Sequence, residues 1–125
     1  MSNDSEQHRR VLVVDDDADI RKLLVTALRL KSLPVDAAHD GTEAINLLHK
    51  SSYGVVLLDL FMPHIDGFAV LDEIERSPNP PVVLVVTGAD RGTVGKLDTR
   101  RIHGVVRKPF DVDELTNLVT SMATS

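Results

Sequence analysis

At 125 residues, with 42% hydrophobic and 26% charged side chains, the chain has the composition of one globular domain with one core, which excludes disordered and fibrous classes. A domain this size buries about two-thirds of its unfolded surface. No apolar run nears the roughly 20 residues that span a bilayer, the start is polar, and zero cysteines exclude a disulfide frame, a thiolate metal site and a thiol nucleophile, so the expected location is the cytoplasm, with no membrane partner. The net charge of −5 and four scattered aromatics (Tyr53, Phe61, Phe68, Phe110) argue against a direct nucleic-acid partner.

Residues 1–8 read as a disordered lead-in. Val11–Val14 is a continuous apolar run and the first predicted strand. Ile20, Leu23, Leu24, Ala27 and Leu28 then follow the i, i+3, i+4, i+7, i+8 rule, which predicts a helix from about Ala18 to Leu30. Val35–Ala38 is a weaker strand, and Thr42–Lys50 a helix carrying Ile45 and Leu48. Val55–Leu58 is a strand, Phe68–Arg76 a helix and Val82–Val86 a strand. Residues 90–101 make a poor helix, because Gly92 and Gly95 each cost about 1 kcal/mol relative to alanine. That segment is expected to be short, distorted or mobile. Val105–Val106 is a brief strand, and Val112–Met122 a helix opened by a capping box of Asp111 and Glu114. Strands without polar alternation are covered on both faces, and regular β-α alternation predicts a doubly wound α/β domain with helices on both faces of a parallel five-stranded sheet.

Polar residues at the strand ends carry the chemistry. Asp15, Asp16 and Asp17 follow the first strand, Asp59 the third; Thr87 closes the fourth, and Lys108 with Pro109 the fifth. Ligands of open α/β sheets bind beyond the carboxyl ends of the strands, where the strand order reverses. If the first and third strands are neighbours there, Asp15, Asp16 and Asp59 converge. Two unit charges ~5 Å apart at an effective dielectric of ~20 repel by about 3 kcal/mol. Three carboxylates therefore need cations, and a divalent ion plus one lysine balances them. All-oxygen ligation in a site open to phosphate suits Mg²⁺. Helix capping accounts for Asp17 or Asp19 but not for Asp59, which is followed by Leu60, Phe61, Met62 and Pro63.

Taken together, Val-Val-Asp15-Asp16, Leu-Asp59-Leu-Phe-Met-Pro63-His-Ile-Asp-Gly67, Val-Val-Thr87-Gly88 and Arg-Lys108-Pro109-Phe110 resemble the receiver domain of two-component response regulators, over about residues 9–122, with 123–125 as a tail. The resemblance implies the flavodoxin-like strand order 2-1-3-4-5. It implies Asp59 as phosphoacceptor, taking a phosphoryl group from the phosphohistidine of a sensor kinase or phosphotransfer protein. The receiver does much of this chemistry itself. It further implies Mg²⁺ held by Asp16, Asp59 and the Phe61 backbone carbonyl, with Asp15 acting through a water. Lys108, often aimed inward by a cis bond before Pro109, and the Thr87 hydroxyl would neutralise phosphoryl charge. Gly88 leaves room for the donor.

The chain departs from the family at Val105, where a Tyr or Phe usually serves as the switch. A weaker or different conformational response is therefore expected, read mainly through 88–104. Phe61 and Ala89 are apolar where the family tunes phosphoryl lifetime, and neither can position a water, so self-dephosphorylation is expected to be slow. From Asp90 to Lys108, six basic residues face two acidic ones, a local +4 that leaves −9 elsewhere. This stretch lies on the 88–122 face that receivers use for downstream partners; it fits an acidic partner or an anionic ligand, and equally a solvated basic face. The expected state is a monomer or weak dimer.

Two other readings fail. Gly92-Thr-Val-Gly95-Lys96-Leu97 lacks the first glycine and final hydroxyl of a Walker loop, and an aspartate phosphohydrolase needs a carboxylate where Phe61 stands. His8, His39, His49, His64 and His103 lack ligand spacing and read as surface residues. Two functions stay open: a phosphorylation-controlled signalling module, or an interaction domain that keeps the fold without phosphate turnover.

Overall fold

A computed structural model describes residues 9–61 and 67–124. The lead-in 1–8 with His8, and the Met62–Asp66 part of the Asp59 motif with His64, lie outside the described residues. The chain order is β1 (Val11–Val14), α1 (Ala18–Leu30), β2 (Val35–Ala38), α2 (Gly41–Lys50), β3 (Val55–Leu58), α3 (Gly67–Glu75), β4 (Val82–Thr87), α4 (Arg91–Val94), β5 (Gly104–Arg107) and α5 (Val112–Thr124). The five strands form one parallel sheet in the order β2-β1-β3-β4-β5.

The uninterrupted apolar runs have a direct cause: successive residues face opposite helical layers. Leu12, Val14, Val56, Leu58, Val83 and Val85 join Ala44, Leu71 and Ile74 beneath α2 and α3. Val11, Val13, Val55, Leu57, Leu84 and Val86 join Leu24, Leu28, Leu115 and Val119 beneath α1 and α5. Each large side chain withdrawn from water this way contributes about 1.5–3 kcal/mol. The central strands β1 and β3 are buried throughout, while the edge strand β5 is only half-buried.

Local signals fix the helix ends. Asp17 caps α1, its side chain accepting from the Asp19 and Ile20 amides, and Asp19 occupies the first turn. At the other end Ser32 adopts φ 62°. The Ser32 amide donates to the Arg29 carbonyl and the Leu33 amide to the Leu28 carbonyl, a Schellman closure in which Leu33 and Leu28 enter the same core. Asp40 and Asp90 cap α2 and α4, and Asp111 accepts from the Glu114 amide at the start of α5. α4 is a four-residue turn, as its glycines require. α5 runs past Met122, where the sequence reading ended it, to Thr124, because Ala123 (2% exposed) still reaches the core. The proposed tail 123–125 therefore begins inside a helix.

A hydrogen-bonded His–Glu contact joins α2 and α3 at the end of the sheet away from the strand carboxyl termini. Glu73 on α3 meets His49 Nε2 of α2 at 2.5 Å and Arg76 at 2.8 Å, and these contacts hold its carboxyl below the usual range. A depressed carboxylate stabilises the fold above its ordinary value of about 4.3 and loses that contribution as pH falls through the lower folded value. Thermal melts of wild type and Glu73→Gln should differ at neutral pH, with wild type the more stable, and converge in acid. A gap that is constant with pH would contradict this assignment.

Candidate functional site

Register brings the acidic residues together. Val14 pairs with Ala38 on one side and Leu58 on the other, so β1 and β3 end level. The Asp15 amide continues the ladder to the Ala38 carbonyl and the Asp59 amide to the Val14 carbonyl, each at 3.2 Å. One carboxylate oxygen from each of Asp15, Asp16 and Asp59 lies within 4.8 Å of the other two. Asp15 and Asp59 are buried, 2% and 7% exposed, while Asp16 is exposed.

Lys108 is the cation among them. Its Nζ donates to Asp15 Oδ2 at 2.8 Å and to Asp59 Oδ2 at 3.1 Å, reaching across from the end of β5. The Lys108–Pro109 peptide is cis, as the resemblance led one to expect. Burial draws the ammonium's pKa down, but its hydrogen bonds to the two carboxylates outweigh this and leave it raised. Burial also pushes the Asp15 carboxyl up, against the opposing pull of Lys108 and the Asp17 amide. The other oxygens have backbone donors: the Asp17 amide reaches Asp15 Oδ1 at 2.9 Å and the Phe61 amide reaches Asp59 Oδ1 at 3.0 Å.

Thr87 ends β4 fully buried, its Oγ1 accepting from the Ala89 amide at 3.1 Å, and its carbonyl accepts from the Lys108 amide. A Cβ on Gly88 would meet nothing within 4 Å, so the space beside Thr87 is open. Gly67 is the opposite case. A Cβ there would stand 2.6 Å from Leu60 Cα and 3.1 Å from the Asp59 carbonyl oxygen, so α3 starts directly against the backbone that carries Asp59.

The donor set fits a hard divalent cation. It is all oxygen, and three carboxylates against one ammonium leave a charge that Mg²⁺ would cancel. Sequence reasoning missed Arg21, whose guanidinium donates to the Asp15 carbonyl at 2.8 Å and braces the β1–α1 turn. Its place one turn into α1, after the Asp17 cap, was the available signal. The basic stretch is also less open than its charge implied. Arg101 bridges Asp72 and Glu75 on α3, Arg100 pairs with Asp98, and Lys108 is committed to the carboxylates. Arg91, Lys96 and Arg107 remain exposed. Val105, in the position expected for an aromatic switch, packs half-buried against the α2–α3 core layer.

Among the described residues no helix is long and apolar enough to cross a membrane. Residues 11–120 match the response regulator receiver domain family. The chain is 40% identical over 115 residues to the probable transcriptional regulator ycf27 of Guillardia theta, covering 90% of this chain and 44% of that protein. It is 35% identical over 115 residues to the regulatory protein AtoC of Escherichia coli strain K12, covering 91% and 25%. It thus spans less than half the length of these curated relatives. Among solved structures, the response regulator TrrA of Thermotoga maritima, in complex with Mg²⁺ and BeF, superposes with a TM-score of 0.78 at 32% identity, covering 91% of this chain and 98% of that one. The receiver domain of a response regulator from Bermanella marisrubri gives 0.81 at 31%, covering 91% and 97%. A family match that takes in all five strands, on a sheet wound in the order the family uses, makes this chain a member of the response regulator receiver domain family of two-component signalling.

Proposed function

We propose that this receiver accepts a phosphoryl group on Asp59 from the phosphohistidine of a sensor kinase or phosphotransfer protein, in the cytoplasm, and that the acyl phosphate switches binding to a downstream partner. The observation that carries this reading is the single ammonium of Lys108 shared by two buried carboxylates at neighbouring strand ends. Asp59 is held by two donors, Lys108 on Oδ2 and the Phe61 amide on Oδ1, so its carboxylate is fixed before the donor arrives. An Asp59 oxygen forms the new O–P bond as the P–N bond to the partner's imidazole breaks. The imidazole leaves with the bonding pair and ends neutral by taking a proton from water. Lys108 and the Thr87 hydroxyl lie at the ends of β5 and β4 to meet the phosphoryl oxygens, where charge develops. Mg²⁺, held by Asp16, Asp59 and the Phe61 carbonyl with Asp15 acting through water, would supply the remaining positive charge. The Mg²⁺–BeF complex of the TrrA relative supports that assignment.

Release is slow in this reading, because the apolar Phe61 and Ala89 side chains cannot hold a water for attack. The chain thus promotes its own phosphorylation and slow dephosphorylation. The 88–122 face is the proposed partner surface, with Arg91, Lys96, Arg100 and Arg107 among its exposed cations.

Acetyl phosphate tests the reading without a kinase. Intact mass should rise by one phosphate with Mg²⁺ present, and the gain should vanish in Asp59→Asn. No gain in the wild-type chain would favour the alternative, an interaction domain outside phosphate turnover.

A further inference from the structure

We propose that Phe68 is a positioning residue for Asp59, acting through Phe61; the inference rests on the phosphoacceptor reading above. The Phe61 and Phe68 rings meet edge to face, with centroids 6.0 Å apart and planes at 76°. Phe61 belongs to no helix or strand, yet its amide holds Oδ1 of Asp59. Whatever anchors the Phe61 side chain therefore also sets the direction of a donor to the proposed nucleophile. Phe68 is a rigid anchor. It is the second residue of α3, whose first residue, Gly67, abuts the Leu60 Cα and the Asp59 carbonyl.

The pair is not a core contact. Phe61 is 36% exposed and Phe68 42%, whereas Val70, Leu71 and Ile74 on the same helix are buried in the layer beneath α3. Both residues keep over a third of their surface in water, so burial alone does not fix how the rings meet. Their edge-to-face geometry makes the contact directional, so it can orient Phe61 rather than merely cover it. Asp59 is then held from both sides by distant parts of the chain, Lys108 from β5 and Phe68 by way of Phe61 from α3.

The test is a double-mutant cycle on the full chain, with Phe61→Leu, Phe68→Leu and the pair. Its readouts are the rate of Mg²⁺-dependent phosphate uptake from acetyl phosphate and the Phe61 and Asp59 amide NMR shifts without metal. Phe68→Leu should slow uptake by roughly twofold to tenfold, the range an aromatic pair sustains, and should move both amides while the melting temperature falls by only several degrees, so the chain stays folded at the assay temperature. In the Phe61→Leu background it should have no further effect, and Phe68→Tyr should restore the wild-type rate and shifts. A wild-type rate with unmoved amides in Phe68→Leu would overturn the proposal, as would the same slowing in both backgrounds. If the wild-type chain takes up no phosphate, the phosphoacceptor reading fails, and the amide shifts alone then decide whether Phe68 positions Asp59.

Discussion

Lys108→Met destabilises the folded chain by on the order of 3 kcal/mol at neutral pH, the cost of leaving a buried charge without its partner, and reduces phosphate uptake to a trace. Methionine keeps the length of the side chain and removes the charge. Asp15 and Asp59 then face each other, both buried, with the Asp17 and Phe61 amides as their donors. Repulsion between carboxylates at such range is worth about 3 kcal/mol at an effective dielectric of ~20. Adding Asp59→Asn to Lys108→Met should therefore recover much of the stability without recovering uptake. Excess Mg²⁺ should also raise the urea midpoint of Lys108→Met, since a ligand that binds the native state stabilises it by mass action. Equal midpoints for wild type and Lys108→Met would show that the ammonium does not balance the carboxylates.

Gly67→Ala costs about 3 kcal/mol, the upper part of the range for overpacking, although it adds one methyl group to a surface helix. The new Cβ would stand 2.6 Å from Leu60 Cα, and its next neighbours are carbonyl oxygens of Leu60 and Asp59. Backbone cannot rotate away as a flexible side chain can, so either α3 lifts or the Asp59–Leu60 segment shifts. The same substitution at Gly88 meets nothing and should leave stability within about 0.5 kcal/mol of wild type. Urea denaturation of the two variants side by side separates close packing from glycine content: equal midpoints would refute the contact at Gly67. Phosphate uptake should fall in Gly67→Ala as well, because the strained backbone is the one that carries Asp59.

The sheet was legible because its strands are buried on both faces. Val11–Val14 and Val55–Leu58 read as strands without alternation, and the structure divides their residues between two core layers. The acidic cluster was legible for a related reason: strand ends in such a sheet lie at one edge, so Asp15 and Asp59 needed only neighbouring strands to meet. The four-residue α4 followed from Gly92 and Gly95. Contacts set by long-range partners were not legible. Nothing local to Arg101 announces that Asp72 and Glu75, more than 25 residues away, will take its charge, so the +4 stretch read as more open than it is. His103 is exposed, as expected, yet its Nδ1 accepts the Val83 amide at 2.9 Å and so extends the β4–β5 pairing by one residue. The Ser32 turn was missed because serine rarely takes a left-handed conformation, and only the buried Leu33 beyond it shows why it does.

Borohydride reduction reads the acceptor atom directly, since an aspartyl phosphate is reduced to homoserine while a phosphoserine or free carboxylate is not. After treatment with acetyl phosphate and Mg²⁺, peptide sequencing by mass spectrometry should find homoserine at position 59 and at no other aspartate. Homoserine at Asp15 or Asp16, or none in a chain that has gained phosphate, would contradict the assignment of Asp59 as the acceptor.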